Sequence, residues 1–194
     1  LVEMLKSGKD KLGSIPGLWY RVGKETCSNT RAPDIADLEM EIPGQAWDLL
    51  DMSLYRAHNW HCFEHIDQRR PYASIQTGLG CPYKCSFCCI NAPFERPGNR
   101  LWSPQAVVDQ IDHLVGEYGV KNIKIPDEMF VLNEKHVTGI CNLLIDRDYD
   151  LNIWAYARID TVKDRYLEKL KRAGFNWLAL GVESGSKYVR DGVE

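Results

Sequence analysis

The sequence predicts an α/β fold on a parallel sheet, entered through an irregular lead-in. Three observations carry this. From Tyr72 onward, short apolar runs alternate with segments of helical periodicity. No hairpin signal joins one run to the next, so each connection is a crossover and the strands lie parallel. Polar, chemically capable residues also gather just after each run, where parallel sheets place their ligands.

The elements follow in order. Residues 1–10 read as a scrap of helix, and Gly17 to Asn29 alternates around Gly23 as a small hairpin. Arg31 to Trp47 holds Pro33, Pro43 and Gly44 among scattered acids, which predicts a linker on a neighbouring surface. Ile15, Leu18, Trp19, Ile35, Leu38, Trp47, Leu49 and Leu50 in this lead-in all need something to cover. Ala73 to Leu79 is the first strand. Ser103 and Pro104 then supply an N-cap and a first-turn proline, and Val107, Val108, Ile111, Leu114, Val115 and Tyr118 run at helical spacing to Gly119. Val120 to Ile125 is the second strand. Asn133 to Asp146 is a helix with Val137, Ile140, Cys141 and Leu144 inward. Leu151 to Ala157 is the third strand, Asp164 to Ala173 a helix stopped by Gly174, and Phe175 to Val182 the fourth strand. The few residues before Glu194 read as the start of a further helix. The chain reads as an excerpt, with 1–72 as connector and tail of an upstream domain and 73–194 as the first part of the main one.

The bulk numbers narrow the class. A net charge of −3 with interspersed signs gives no basic patch, so nucleic acid is not indicated. No apolar run approaches the roughly 20 residues needed to span a bilayer. Seven cysteines, four of them within Cys81 to Cys89, make a poor disulfide framework. They read better as thiols of the reducing cytoplasm, serving as metal ligands or reactive groups.

The spacing helps to choose. Cys81, Cys85 and Cys88 stand as C-x3-C-x2-C directly after the first strand, and Cys89 is adjacent to the third. A structural zinc site needs a second ligand pair, and none stands at zinc spacing. Electron-transfer clusters want four thiolates. Consecutive side chains point apart, so Cys88 and Cys89 do not easily reach one cluster, and Cys89 reads as loop packing. Three thiolates on a 4Fe–4S cluster leave one iron open.

With Phe87 as its aromatic, "GCPYKCSFC" resembles the signature loop of the radical S-adenosylmethionine (SAM) enzymes. The resemblance covers about Tyr72 to Glu194. It implies a partial parallel βα barrel, about four of six βα units. It also implies an oxygen-sensitive enzyme that cleaves SAM reductively to a 5′-deoxyadenosyl radical, fed by a donor such as flavodoxin or ferredoxin. On the family pattern Asp127 or Glu128 meets the methionine amino group, Arg158 its carboxylate, and Glu183 with Ser184 the ribose hydroxyls. "GVESGS" together with the cysteine loop further resembles the branch with an amino-terminal cobalamin domain, whose members methylate or rearrange small molecules.

Other readings stand beside these. A methylthiotransferase-like tRNA modifier would need a basic module, and a plain electron carrier a fourth ligand. His58, His61, Cys62 and His65 could bind a second metal, or serve a connector facing the cofactor side through imidazole hydrogen bonds. Arg158 and Asp160 could simply pair at the rim. Cys27 and Cys141 read as small buried hydrophobes. His113 and His136 read as exposed or capping, and Trp154, Tyr156 and Trp177 as core.

Overall fold

A computed structural model describes Lys6 and residues 12–192. The helical scrap expected over 1–10 lies, apart from Lys6, outside the described residues. Two compact units divide between Ala36 and Asp37. In the first, β1 (Trp19–Val22) and β2 (Glu25–Ser28) pair antiparallel around Gly23, whose φ of +62° suits the turn. The Asn29 amide ties the hairpin to the carbonyls of Leu12 and Ile15. Cys27 is half-buried, because a two-stranded ribbon covers only one face.

The second unit begins with α1 (Leu38–Glu41), a helical turn within the expected linker, capped by the Asp37 carboxylate. Leu38, Trp47 and Met52 are buried, while Leu49 and Leu54 stay exposed. The linker is anchored by Trp102, whose indole donates to the Ile42 carbonyl at 3.1 Å, and by the Ser103 amide, which donates to Glu39.

The main sheet is parallel, in the order β3 (Tyr72–Ser74), β6 (Asn122–Ile125), β7 (Asn152–Arg158), β8 (Phe175–Gly181). Its crossovers are α2 (Pro104–Tyr118), α3 (Glu134–Arg147) and α4 (Asp164–Arg172). Ser103 caps α2, Asn133 caps α3, and Gly119 closes α2 at φ +62°. Ala73, Ile123, Ile125, Ile153 and Ala155 are buried on the helix-covered face against Val107, Ile111, Val137, Ile140 and Cys141. The short α5 (Lys187–Asp191) follows β8. Among the described residues no helix is long and apolar enough to cross a membrane.

The first strand departs from expectation. Ala73 to Leu79 divides: β3 joins the main sheet, while β4 (Gly78–Leu79) turns away to pair antiparallel with β5 (Arg100–Leu101). Thr77 marks the break, because its amide donates to Asp127 rather than to a neighbouring strand. The aromatics also differ. Trp154 and Trp177 are half-buried and Tyr156 is exposed, since they occupy the face without helices. Alternation put them on one face, and an incomplete barrel leaves that face open. The edge strand β8 is bare, with Leu180 in it and Val182 just beyond it exposed.

The histidine segment lies at the amino ends of the strands, opposite the cysteines. Asn122, Asn152 and Asn176 form a ladder there at 3.0 and 3.1 Å. His61 Nε2 donates to the Asn152 carbonyl, Asn152 donates to the His61 carbonyl, and Cys62 Sγ donates to Asn122. His58 Nδ1 accepts from the Trp60 amide. The expected imidazole hydrogen bonding is present at His61 and His58, but the expected place on the cofactor side is not: the Asn152 bonds hold the segment at the opposite ends of the strands. A cleft of about 890 Å³ opens beside this ladder, far along the strands from the cysteines.

Asn152 should therefore be a keystone. Asn152→Ala strands the His61 carbonyl and leaves the Asn122 amide oxygen only the weak Cys62 thiol donor, and should lower the unfolding free energy by about 2 kcal/mol. Asn176→Ala, at the exposed end of the ladder, should cost under about 1 kcal/mol. Urea unfolding of the two variants checks the order, and equal losses would refute the ladder as a cooperative unit.

Candidate functional site

The cysteine loop hangs from the β4–β5 clip. A Cβ at Gly78 would lie 2.6 Å from Leu101 Cδ2, and one at Gly80, at φ +87°, 2.6 Å from the Gly98 carbonyl oxygen. Glycine is therefore required at position 80, by backbone contact and by φ, while a side chain at position 78 would have to displace Leu101. The Gly98 amide closes the neck on the Cys81 carbonyl at 3.0 Å. Beyond it, the Cys88 amide bonds Cys85 O and the Asn91 amide group donates to Tyr83 O at 2.6 Å.

Cys81, Cys85 and Cys88 line one cavity of about 480 Å³, and Cys89 does not. Their exposure rises along the loop, from buried Cys81 through half-buried Cys85 to exposed Cys88. Burial pushes the Cys81 thiol up, against a lowering hydrogen bond from the Tyr83 backbone; the charges of Cys85, Cys88 and Glu128 raise it further. Among the described residues no three His, Cys, Asp or Glu side chains converge tightly enough for one metal ion. Three thiols spread around a cavity fit a polynuclear cluster better than a single ion.

A second cavity, of about 540 Å³, opens over the ends of β7 and β8 and is lined by Cys85, Phe87, Arg158, Asp160, Glu183 and Arg190. Cys85 is a wall of both cavities. Arg158 spans them: its guanidinium grips both Asp160 oxygens at 2.9 Å, lies 4.2 Å from the Tyr83 ring centroid and reaches within 3.9 Å of Cys85 Sγ. The Asp160 hydrogen bonds raise Arg158 and reciprocally hold Asp160 low. Glu183 is exposed at φ +62°, and its Oε1 lies 2.7 Å from where a Gly181 Cβ would stand. Ser184 is turned elsewhere: its hydroxyl accepts from the Ser186 amide and its carbonyl from Arg190.

Asp127 and Glu128 part company. Asp127 is buried, accepting from the Thr77 amide at 2.8 Å and from the Thr77 hydroxyl. His136 Nε2 meets the same hydroxyl at 3.0 Å. Expected at the surface, His136 is buried, because α3 lays it beneath the end of β3. His113 is exposed, as expected. Glu128 is half-buried beside Cys81. Thr77, His136, Tyr83 and Gly181 are the residues that sequence reasoning missed, and only the proximity of Thr77 to the loop glycines hinted at one of them.

The buried pair has opposed titrations. Burial raises Asp127 from 3.8 to about 6 and lowers His136 from 6.5 to about 4. The Asp127 contribution to stability is full below its unfolded value and is lost as pH rises through about 6. That of His136 is full above 6.5 and is lost as pH falls through about 4. Between those limits folding transfers one proton from His136 to Asp127, so the pair adds almost no pH slope. Asp127→Asn should expose the His136 slope, with stability falling toward acid. His136→Gln should expose the reverse, each by up to ~1.4 kcal/mol per pH unit. Denaturant unfolding between about pH 4.5 and 6.5 reads this; parallel profiles for the two variants would contradict it.

The comparisons with known proteins come to the same place. The description "Radical SAM superfamily" matches residues 75–193. An uncharacterized methyltransferase of Pyrococcus horikoshii is 29% identical over 97% of this chain and 38% of its own length. The anaerobic magnesium-protoporphyrin IX monomethyl ester cyclase of Cereibacter sphaeroides is 30% identical over 91% of this chain and 28% of its own. The chain thus spans well under half of these relatives. Among solved structures, the radical SAM methyltransferase TsrM of Kitasatospora setae, with cobalamin and a [4Fe-4S] cluster bound, has a TM-score of 0.69 at 19% identity. It matches over 98% of this chain and 37% of that one. The cobalamin-dependent SAM radical enzyme OxsB, with aqua-cobalamin bound, has a TM-score of 0.67 at 21% identity, over 98% and 27%. A partial parallel barrel, a three-cysteine loop at its carboxyl rim and a matching family description over most of the main unit agree: the chain belongs to the radical SAM superfamily.

Proposed function

We propose that the full-length protein is a radical SAM enzyme that also uses cobalamin, acting on a small molecule by methyl transfer or bond rearrangement. The observation that carries the core of this reading is the cavity shared by Cys81, Cys85 and Cys88, joined through Cys85 to the strand-end cavity. When bound, a 4Fe–4S cluster with one open iron supplies the electron that splits the SAM sulfonium, and a donor such as flavodoxin or ferredoxin replaces it. The chain's own part is to bind and orient.

Glu128 is the better candidate for the methionine ammonium, because Asp127 spends its oxygens on Thr77 and so fixes the loop that presents Glu128. Arg158, beside Cys85, is the candidate for the carboxylate, with Asp160 holding its guanidinium plane. Glu183, which lines the same cavity as Arg158, is the candidate for the ribose hydroxyls, and Ser184 supports the turn that carries it. Cobalamin is supported by the structural neighbours that bind it and by the methyltransferase and cyclase relatives. It would sit on an upstream domain whose tail and connector are residues 1–72. The reducing cytoplasm suits such a cluster.

Anaerobic reconstitution of the full-length protein should give one 4Fe–4S cluster. Cys81→Ala, Cys85→Ala and Cys88→Ala should each abolish it, and Cys89→Ala should keep most of the iron. Loss in Cys89→Ala with retention in Cys88→Ala would reverse the ligand assignment.

Glu183→Ala should keep its iron but bind SAM roughly ten- to a hundred-fold more weakly, the usual loss for a charged hydrogen bond. Unchanged titration would remove Glu183 from the site. Hydroxocobalamin should bind stoichiometrically with a corrin spectrum, and full turnover without corrin would sink the cobalamin assignment alone.

A further inference from the structure

We propose that the open face of the sheet carries an anion anchor, Lys124, that receives the carboxylate of a flat, aromatic substrate below the cofactor rim. The proposal rests on the radical SAM reading for what lies at the rim, and on the sheet itself for the rest.

Parallel register sets the open face in rows. Ser74, Lys124, Trp154 and Trp177 form one row; Tyr156 and Ala179 form the next, and Arg158 and Gly181 the row at the rim. None of these positions is an acid. Arg158 already has Asp160. Lys124 is half-buried, and among the described residues it forms no ion pair and no side-chain hydrogen bond. Its ammonium instead lies 5.0 Å from the Tyr156 ring centroid. Its charge also reaches His61 and Tyr72, but neither hydrogen-bonds it; a half-buried ammonium among rings is short of the acceptors it had in water.

The reach of the lysine fixes the depth. By lying over Tyr156 the ammonium rises one row toward the rim, leaving about 7 Å, two residues of strand, to the level of Arg158. An acid group bound there would hold the body of its molecule between Lys124 and the rim. Tyr156 forms the wall beside it, and Trp154 and Trp177, stacked at 6.2 Å and 26°, form an aromatic floor one row deeper. Such a surface suits a flat ring. A single ammonium is one point charge and balances the single charge of a carboxylate, whereas a phosphate monoester, with nearly two, would stay partly uncompensated.

The competing explanation is a structural ion pair, with an acid from elsewhere in the full-length chain meeting Lys124. Two measurements on the reconstituted full-length protein separate them. Without ligand, Lys124→Met should unfold at the wild-type temperature or above, because an unpaired charge has been removed. A drop of several degrees would mean a stranded partner acid and would overturn the proposal. By calorimetry, wild type should bind indole-3-carboxylate at least about tenfold more tightly than neutral indole, and Lys124→Met should lose that preference while Lys124→Arg keeps part of it. No binding of the acid, no preference for it, or a preference that survives in Lys124→Met would each overturn it too. Iron content and SAM binding of the wild-type protein test the underlying reading separately.

Discussion

A carboxylate buried between two strand ends decides where the cysteine loop begins. Asp127 takes the amide and hydroxyl of Thr77, and so pulls the chain out of the main sheet just after β3. Only then can Gly78 and Leu79 turn to meet Leu101 and Arg100. A buried carboxylate with two donors on it is costly to break, since removing either partner strands a desolvated group. His136 completes the arrangement from α3, so a helix on the covered side of the sheet helps to set a loop at the rim.

The two ends of the sheet do different work. At the amino ends, polar side chains are spent on one another: three asparagines, His61 and Cys62 satisfy each other's donors and acceptors. At the carboxyl ends, thiols and charged groups line open cavities. The larger cleft lies at the first end and the thiols and charged groups at the second, so cavity size and chemically capable side chains do not coincide. Polar saturation distinguishes a closed base from a receptive rim.

Much of this was legible in the sequence because it is periodic. The three long helices and the strands between them announce themselves by apolar spacing, by the Ser103 cap and by the Gly119 and Gly174 stops. The cysteine spacing was legible because thiolate chemistry restricts what three such residues can hold. What escaped depends on contacts without a period. A two-residue strand such as β4 has none, and its partner lies more than twenty positions away. His136 follows its cap residue by three positions, like any solvent-facing residue, and only Thr77, 59 positions earlier, explains its burial. Trp154 and Tyr156 alternate correctly, but alternation says which residues share a face and nothing of whether that face is filled.

The cysteine loop itself is held unevenly, and this bears on what its ligand does. Its neck is fixed by two glycines in contact with backbone and by the Gly98 bond to Cys81, which is also the buried cysteine. Farther along, Arg158 restrains Tyr83 and Cys85 through a ring contact and a long N–H···S approach. Cys88 has neither burial nor Arg158, only the turn that bonds its amide to Cys85. Protein contacts therefore thin out in the order in which the ligands occur. Metal–thiolate bonds couple binding to local order in such donor sets. In this loop they would add most where the protein supplies least, while Cys81 and the clip beneath it set the position of the whole.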